Sequence, residues 1–392
     1  MKPENKPLPW GTLMGIRPSK VAEKLLISGE SAENVQEILK QKYFVLPDRA
    51  ALCLETAQAA LSFKKSLKPK DIALYIGIPF CPTRCAYCSF VSNSVERSFS
   101  FIEPFTDILI QEIETISRLV SELGLRIIAV YIGGGTPTAL PVTVLETVMS
   151  ALKKTFDFSG IREYTVEAGR SDTVTAEKLE IITGLGADRI CINPQSMSAD
   201  VLSAIGRNHS PDDVLEAVKL VRKTNVAINM DIIAGLPSDT ADGFKQTLDT
   251  VIELAPENIT VHTLSLKKGS KIMLENTAIP SGADVGEMLD YSSGQLRKSG
   301  YTPYYVYRQK YISGGFENTG WSFKGQEGIY NICMMDELCT VLALGGGGVT
   351  KIVTTDGRIE RVFNAKYPRE YILMTEKIND KVGRIREYAL SI

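Results

Sequence analysis

Short β-rich runs alternate with longer amphipathic stretches from about residue 71 onward, and this alternation constrains the fold more than any other feature. The β-rich runs lie at 73–78, 127–133, 163–168, 189–194, 226–235 and 257–266. The helical patterns between them lie near 101–122, 142–156, 175–185, 211–224 and 240–254. Such alternation is typical of parallel βαβ units whose sheet is covered on both faces. Six units are too few for a closed eight-stranded barrel, so the sequence predicts an α/β fold built on an open, partial (β/α)₆ barrel.

The segments on either side of this pattern differ from it. At the N-terminus, apolar residues recur at helical spacing over 21–27, 32–41 and 50–63, and Asp48 is a candidate cap for the third of these helices. A helix near 284–299 and a β-like run at 301–309 follow the barrel pattern. We therefore predict an N-terminal helical segment (1–70), a core (71–310) and a small C-terminal α+β lid (311–392), in which Gly345–Gly348 form a turn.

Three cysteines follow the first β-rich run directly: Cys81, Cys85 and Cys88, spaced CxxxCxxC within IPFCPTRCAYCSF. Three thiolates this close together can ligate three corners of a [4Fe–4S] cube and leave one iron open. An open iron can chelate the amino and carboxylate groups of S-adenosylmethionine (SAM), and an electron from the cluster can then split the sulfonium. A structural zinc site is the alternative. Zinc prefers a closed tetrahedral set of nitrogen and sulfur ligands, and the chain has only 2 histidines to complete one.

Charge and composition exclude several classes of protein. The formal net charge of −2 is spread along the chain, which gives no basis for binding nucleic acid or an anionic membrane. No apolar run reaches the roughly 18 residues that a membrane span needs, and the N-terminus lacks the apolar stretch of a signal peptide. The 7 cysteines, of which the motif needs three as thiolates, indicate the reducing cytoplasm.

Other residues with chemical potential also follow the predicted strands. GGGTPT (133–138) follows the second run, Glu167 ends the third, Gln195 follows the fourth and Asp231 lies in the fifth. Functional residues of such barrels gather at the carboxyl ends of the strands. The glycines let a ligand approach the backbone, whose N–H groups can hold a carboxylate, and Glu167 can accept from ribose hydroxyls. A tight turn for the glycine run, and a solvated or structural role for each lone acid, stay open as alternatives.

Several further residues have plainer interpretations. His262, between apolar neighbours, is predicted to be a hydrogen-bonded core residue, and His209 a loop residue. The remaining cysteines are interpreted as buried apolar side chains: Cys53, Cys191, Cys333 and Cys339. The candidates to meet substrate carboxylates are the basic residues Arg17, Lys267, Lys268 and Arg308.

Taken in order, a set of motifs resembles the oxygen-independent coproporphyrinogen III oxidase family of radical SAM proteins. They are YIGIPFCPTRCAYCSF, YIGGGTPT, TVEAGR, NPQSM, LSAIGRNHS, MDIIAGLP and VHTLSLKKGS. Five more resemble its HemZ-type branch: WGTLMGIRPSK, GYTPYYVYRQK, NTGW, YNICMMDE and ALGGGGVTK. The resemblance extends over nearly the whole chain and implies the same partial (β/α)₆ barrel.

The resemblance also implies a role for each matching position. Cys81, Cys85 and Cys88 would hold the cluster, Tyr75 would pack near the SAM sulfonium, and Gly134 and Glu167 would belong to the site of the cleaved SAM. A second SAM or the substrate would lie near Tyr87, Gly135, Thr136, Gln195, Arg207, Asp231 and Ser265. Tyr75 and Arg207 are the expected catalytic residues, and Arg207 and Arg308 the expected partners of substrate carboxylates.

The activity that the resemblance implies is oxidative decarboxylation of coproporphyrinogen III to protoporphyrinogen IX in anaerobic haem biosynthesis, with one or two SAM molecules and a reduced flavodoxin-like donor. Haem-binding chaperones of the same family, and radical SAM enzymes that act on another tetrapyrrole, stay open as alternatives. Two departures bear on the substrate and the second SAM rather than on the cluster. Gly77 stands where many relatives have histidine, and Phe90 where the oxidase has a further cysteine.

Overall fold

A computed structural model of the chain describes residues 8–13, 15, 17–88, 93–267, 269–354 and 357–389. Phe90 and Lys268 lie outside these residues. The strands, numbered in chain order, are β1 (Asp71–Ile78), β2 (Phe80–Cys81), β3 (Asn93–Ser94), β4 (Arg126–Gly134), β5 (Glu163–Glu167), β6 (Arg189–Cys191), β7 (Ala227–Ala234), β8 (Asn258–Thr263), β9 (Thr302–Tyr307), β10 (Asn318–Ser322), β11 (Thr340–Gly345), β12 (Val349–Val353) and β13 (Ile359–Phe363). Every predicted β-rich run is therefore confirmed as a strand.

Helices occupy the predicted stretches between the strands and the flanks. They are α1 (Ser19–Ile27), α2 (Ala32–Gln41), α3 (Pro47–Ser66), α4 (Val95–Ser98), α5 (Ile102–Leu123), α6 (Val142–Thr155), α7 (Ala176–Gly184), α8 (Ala199–Ala204), α9 (Pro211–Val221), α10 (Ala241–Glu253), α11 (Lys271–Leu274), α12 (Gly282–Lys298), α13 (Ile329–Asp336), α14 (Pro368–Ile372) and α15 (Thr375–Ala389). The capping role predicted for Asp48 is wrong, because α3 begins at Pro47 and Asp48 lies in its first turn. None of the described helices is both long and apolar enough to cross a membrane.

The described residues form two compact units. The N-terminal unit contains the residues up to Ser66 together with Gln195–Ile205 and Asp231–Glu327. The cysteine-loop unit contains Leu67–Pro194, Gly206–Met230 and the residues from Gly328 onward. The three-part division at 70 and 310 stays a prediction, and the two units are described in turn.

The cysteine-loop unit is built on a sheet in the order β13-β12-β11-β1-β4-β5-β6-β7. Six of these strands run parallel to one another: β11, β1, β4, β5, β6 and β7. At the edge, β12 pairs antiparallel with β11, and β13 pairs antiparallel with β12. Nearly every residue of β1 is buried, as expected for a parallel strand with helices on both faces. The amphipathic α5 buries Leu109, Ile113 and Ile116, and the residue after its last turn, Gly124, caps it with a left-handed φ of 61°.

The N-terminal unit has a smaller sheet in the order β7-β8-β10-β9. Strand β10 pairs antiparallel with both β8 and β9. The predicted N-terminal helices are present, and α3 packs against β9. Arg49 on α3 lies 3.1 Å from Glu317 (Nε to Oε1), and Trp10 donates to the other oxygen of this carboxylate at 2.7 Å. The side chains of Arg49 and Glu317 are both buried, and their opposite charges compensate each other in the interior.

Candidate active site

The cysteine motif forms a partly exposed loop after β1. Cys81 ends β2, and the Cys88 backbone N–H donates to the Cys85 carbonyl at 3.1 Å. All three motif thiols are half-buried, while the other cysteines of the chain, Cys53, Cys191, Cys333 and Cys339, are buried as predicted. The motif thiols are thus the ones that an incoming cofactor can reach.

The glycine run after β4 packs closely against this loop. Gly135 N–H donates to Ile78 O and Thr136 N–H donates to Phe80 O, both at 2.7 Å. A Cβ atom on Gly135 would lie 2.3 Å from Phe80 O and 3.0 Å from Cys81 Sγ, so only glycine fits. Gly134 has a φ of 109°, which also requires glycine. The expectation that these N–H groups hold a ligand carboxylate is wrong for Gly135 and Thr136, because the carbonyls of Ile78 and Phe80 already accept both.

Glu167, at the carboxyl end of β5, accepts two side-chain hydrogen bonds. Asn193 Nδ2 donates to Oε1 at 2.6 Å, and the Tyr131 hydroxyl donates to Oε2. Gly169 lies so close that a Cβ there would be 2.7 Å from Oε1. The carboxylate is half-buried and oriented from two sides, which suits an acceptor that must face a fixed pair of hydroxyl groups.

Three tyrosine rings stack beside this carboxylate. Tyr75 and Tyr131 occupy matching positions on the parallel strands β1 and β4, with ring centroids 6.3 Å apart. Tyr330 of α13 stacks on both rings, at 5.9 Å from Tyr75 and 4.5 Å from Tyr131. Burial and the charge of Glu167 raise the pKa of Tyr75 above its ordinary value, so its phenol stays protonated.

Arg207 is buried and holds the cysteine loop to the neighbouring strand ends. Its Nη1 donates to Gly169 O at 2.9 Å and to Asn193 O at 2.5 Å, and its Nη2 donates to the Tyr87 hydroxyl at 3.1 Å. Burial opposes its charge, yet Tyr87 and Cys85 beside it hold the pKa of Arg207 above the ordinary value. Arg207 therefore contacts the loop residues Tyr87 and Cys85 from within the protein.

Arg170 and His209 are neighbours of this arrangement. Arg170 Nη1 donates to Thr83 Oγ1 at 2.8 Å, between the first two motif cysteines, while its other nitrogens pair with Asp172. His209 lies in a loop, as predicted, but its side chain is fully buried. Burial and the charges of Arg207 and Arg170 lower the pKa of His209 to about 4, so the imidazole is neutral near pH 7.

The N-terminal unit carries the other predicted site residues. Gln195 has a left-handed φ of 66°, and its N–H donates to Asp231 O at 2.9 Å. The side-chain oxygen of Gln195 is buried and accepts no hydrogen bond from the residues that the structure describes. His262 Nε2 lies 3.6 Å from Asp231 Oδ2. His262 is half-buried, so its prediction as a core residue is wrong.

Aromatic and polar groups surround Asp231 within the same unit. Burial raises the pKa of Tyr307 to about 12, with the charge of Asp231 adding to the effect, and Gln309 donates to its hydroxyl at 3.3 Å. Ser265 is half-buried and donates to Lys310 O at 3.1 Å. The Asp231 carboxylate thus faces a histidine and lies near a tyrosine, a set that can bind and orient a polar group of a ligand.

Of the basic residues proposed for substrate carboxylates, Arg308 already has backbone partners. Arg308 donates from Nη1 to Leu13 O at 2.9 Å and from Nη2 to Gly315 O at 3.1 Å. Lys267 is half-buried, and burial lowers its pKa. Because both terminal nitrogens of Arg308 already donate to carbonyls, this geometry favours a role in positioning the backbone.

The donor set of the cysteine loop fits a [4Fe–4S] cluster. Three half-buried thiols lie on one loop, and the guanidinium of Arg207 lies beside Cys85, where positive charge favours a thiolate. Within the described part of the chain, no three Cys, His, Asp or Glu side chains converge as they would around a single metal ion. A cube holds its irons at separate corners, so its ligands do not have to converge on one point. The loop therefore favours the cluster over the zinc alternative.

Reasoning from the sequence alone missed four of the residues that shape this site: Tyr131, Arg170, Asn193 and Tyr330. Tyr131 and Asn193 stand within YIGGGTPT and NPQSM, so their motifs were recognised but their roles were not. The position of Tyr131 could have been predicted from the sequence. It stands two residues before Gly133 on β4, and residues two apart in a strand lie on the same face of the sheet. No local signal places Tyr330 beside Tyr75, since their contact depends on how α13 returns to the sheet.

Comparison with known proteins agrees with this geometry. Residues 75–251 match the Radical SAM superfamily. The chain is 38% identical over 379 residues to the oxygen-independent coproporphyrinogen-III oxidase-like protein HemZ of Bacillus subtilis, covering 95% of this chain and 76% of that protein. It is 26% identical to the heme chaperone HemW of Haemophilus influenzae, over 83% of this chain and 82% of the relative.

Among solved structures, coproporphyrinogen III oxidase (HemN) from Escherichia coli superposes with a TM-score of 0.63 at 19% identity, covering 84% of this chain and 72% of that one. This likeness confirms the predicted fold, a partial radical SAM barrel. The family match confirms the predicted enzyme class, a radical SAM oxidoreductase, with the [4Fe–4S] cluster and SAM as its cofactors. The chain belongs to the radical SAM superfamily and, within it, to the family of oxygen-independent coproporphyrinogen III oxidase-like proteins, in the HemZ-type branch.

Proposed function

We propose that this protein carries out the oxygen-independent oxidative decarboxylation of coproporphyrinogen III to protoporphyrinogen IX. The observation that carries the proposal is the 38% identity to a coproporphyrinogen-III oxidase-like protein over 95% of the chain. The site geometry supports it, because the cluster loop and the polar set around Asp231 belong to motifs shared with that family.

In the proposed reaction, Cys81, Cys85 and Cys88 hold the cluster, and Glu167 and Gly134 hold the ribose and methionyl parts of one SAM. A cluster held by these cysteines would supply the electron that cleaves SAM to methionine and a 5′-deoxyadenosyl radical, and for each propionate side chain one such radical would take a hydrogen atom and become 5′-deoxyadenosine. Each propionate radical would then lose CO₂ and pass one electron to an external one-electron acceptor, which leaves a vinyl group. Tyr75, whose ring stacks with Tyr131 and Tyr330, would exclude water from the sulfonium.

We assign the substrate, or a second SAM, to Gln195, Asp231 and Ser265 of the N-terminal unit. The buried side-chain oxygen of Gln195, which has no partner among the described residues, supports a ligand donor there. Arg207 and Arg308 are better explained as positioning residues than as partners of propionates, since each already donates to two backbone carbonyls. We propose a reduced flavodoxin-like protein as the electron donor and the cytoplasm as the compartment.

A second candidate function is that of a haem chaperone. Its support is the similarity to HemW, which covers 83% of this chain at 26% identity. Such a protein would keep the cluster and bind haem without changing it. A third possibility is that the radical acts on another tetrapyrrole. The experiment below distinguishes it from decarboxylation of coproporphyrinogen III and from a haem chaperone.

The assay uses anaerobically reconstituted protein with SAM, a reductant and coproporphyrinogen III, and follows 5′-deoxyadenosine and oxidised porphyrins together by chromatography. We expect protoporphyrin to appear with 5′-deoxyadenosine and to vanish in Cys85→Ala, whereas Cys53→Ala, a buried cysteine of the N-terminal unit, retains both products. A parallel titration of the same protein with haem, followed by its absorption spectrum, tests the chaperone: stoichiometric haem binding without any protoporphyrin in the assay would select it. Deoxyadenosine without protoporphyrin would point to a different tetrapyrrole.

A further inference from the structure

Glu112, in the middle of α5, is a fully buried carboxylate with donors on every side. It accepts from Gly345 N–H at 2.8 Å, Asn364 Nδ2 at 2.9 Å, the Tyr371 hydroxyl at 2.6 Å and Lys381 Nζ at 2.7 Å. Each donor comes from the segment after residue 340, so this one acid fastens the C-terminal elements of the cysteine-loop unit to α5. A buried charge with this many partners is costly to disturb.

Lys381, on α15, is the counter-charge of Glu112 and is itself buried. Besides the carboxylate it donates to Asn364 Oδ1 at 3.0 Å and to Ala343 O at the end of β11. The ammonium of Lys381 has three N–H donors, and three different oxygens accept from it, so each of its N–H groups has a partner. Both charges therefore fix the end of β11 and the turn that follows it.

That turn, Gly345–Gly348, lies directly against the segment that leads into the cysteine loop. Gly346 N–H donates to Gly77 O at 2.9 Å, and Gly345 is the register partner of Gly77 in the parallel pair β1–β11. A Cβ on Gly345 would lie 2.2 Å from Gly77 O, and a Cβ on Gly346 would lie 2.7 Å from the Pro79 ring. The turn thus contacts the backbone of Gly77, four residues before the first motif cysteine, and the ring of Pro79.

The packing on the Gly77 side is just as close. A Cβ at position 77 would lie 2.5 Å from Gly346 O, so the turn leaves no room there for a side chain. Gly77 is also the position where the sequence departs from the histidine of many relatives. In this chain, the backbone of the Gly345–Gly348 turn occupies the space that a side chain at position 77 would need.

A second contact joins the same elements. The Phe80 ring packs edge-on against Phe105 of α5 at 5.3 Å, and Phe105 packs against Tyr371 at 4.8 Å. Tyr371 is the residue that donates to Glu112, and the charge of that carboxylate adds to burial in raising the pKa of its phenol. Both the hydrogen-bonded and the aromatic contacts therefore run from Glu112 to residues 77–80.

We propose that Glu112 is a positioning residue for the [4Fe–4S] cluster: with Lys381 it holds the Gly345–Gly348 turn against residues 77–80 and thereby fixes the start of the cysteine loop. The proposal rests on the family's cluster and not on which tetrapyrrole is bound. Loosening the turn would let the loop open and expose the cluster, since supports outside the ligand shell orient the ligands themselves.

The test compares three variants of the reconstituted protein by the rate at which a chelator removes iron, by the electron paramagnetic resonance spectrum of the reduced cluster and by the melting temperature. We expect Glu112→Gln to release iron roughly tenfold faster and to alter the spectrum. The matched control Glu317→Gln breaks the buried pair with Arg49 in the N-terminal unit, and we expect it to lower the melting temperature without changing iron release or the spectrum.

The double variant Glu112→Leu/Lys381→Met separates positioning from general stability. Replacing a buried ion pair by apolar residues of similar size often restores stability, but leucine offers no acceptor to Gly345 N–H. Because Gly345 N–H, Asn364 and Tyr371 also lose their acceptor, we expect a melting temperature below that of the wild type but above that of Glu112→Gln, together with iron release as fast as in Glu112→Gln. Iron release that follows the melting temperature across all variants, or a Glu112→Gln protein that keeps iron and spectrum unchanged, would overturn the proposal. None of these measurements needs a tetrapyrrole, so failure of the proposed reaction would leave their result unaffected.

Discussion

Asn193 donates a 2.6 Å hydrogen bond to Glu167 Oε1, so the orientation of a carboxylate on β5 depends on an amide that follows β6. Replacing Asn193 by Asp places a second negative charge in that contact. We expect SAM to bind roughly tenfold more weakly, about 1.4 kcal/mol, because Glu167 then rotates away or takes up a proton. Titrating SAM into the reduced protein, monitored by the cluster's electron paramagnetic resonance spectrum, measures this.

Asn34→Asp is the matched control for that substitution. Asn34 is an exposed amide on α2 that donates to Glu30, so the same chemical change occurs away from the cysteine loop. SAM affinity should stay at the wild-type value. Equal affinity in Asn193→Asp and wild type would show that Glu167 is oriented without Asn193.

Gly77 tolerates no side chain, and this gives a prediction on stability. In Gly77→Ala the added Cβ meets Gly346 O at 2.5 Å, so the turn must shift. We expect a loss of about 1–3 kcal/mol in the free energy of unfolding together with faster iron release. Gly294→Ala on α12, where no atom lies within 4 Å of the new Cβ, should instead stabilise the protein by about 0.5–1 kcal/mol. Chemical denaturation measures both, and an unchanged Gly77→Ala protein would contradict the packing described.

His209 predicts a pH dependence of stability. Its pKa falls from 6.5 to about 4 on folding, so the unfolded chain binds the proton more tightly. The contribution of His209 to the free energy of unfolding is therefore at its full value above about pH 6.5, and it is lost as the pH falls from there toward 4. Between pH 8 and pH 5.5 we expect the wild type to lose about 1 kcal/mol more than His209→Gln. Denaturation curves of both proteins at the two pH values measure this difference. Equal losses would mean that folding does not lower the pKa of His209.

Arg207 cannot be replaced by lysine without loss, even though the charge is kept. Its guanidinium reaches two carbonyls and the Tyr87 hydroxyl at once, and an ammonium on a flexible chain cannot match that fork. We expect Arg207→Lys to cost about 2–3 kcal/mol of stability and to take up less iron on reconstitution. Arg118→Lys, at an exposed residue of α5 that donates to Thr115, should change neither quantity. Full iron content in Arg207→Lys would show that the cysteine loop holds its shape without this contact.

Asp231 offers a test of the substrate side. Under the proposed function, Asp231→Asn should keep the cluster and SAM cleavage but lose at least tenfold in protoporphyrin formation, since the carboxylate facing His262 is gone. Asp249→Asn, an exposed acid of the same unit that accepts from Tyr291, should behave like the wild type. The ratio of protoporphyrin to 5′-deoxyadenosine measures the coupling, and an unchanged ratio in Asp231→Asn would place the substrate elsewhere.

Local patterns were enough to predict most elements of this fold. Parallel strands covered by helices must be apolar along their length, so the runs that became β1 and β4 were visible in the sequence, and the helices between them carry the expected periodicity. The cysteine loop was equally visible, because three ligands within eight residues need no tertiary contact to come together. The start of α3 was predicted at residue 50, whereas the helix begins at Pro47. The prediction was three residues late because proline fits the first position of a helix.

The sequence by itself determined which residues form strands and helices, and which thiols can hold a cluster, because those properties depend on neighbours along the chain. Only the tertiary structure decided that β11 pairs with β1, that Tyr131 and Asn193 meet at Glu167, and that Glu112 gathers four donors from the C-terminal segment. These contacts join residues from about 26 to 270 positions apart. No periodicity or motif encodes such pairings, because they arise only when packed helices and strands bring distant polar groups into the same dry interior, where each must find a partner.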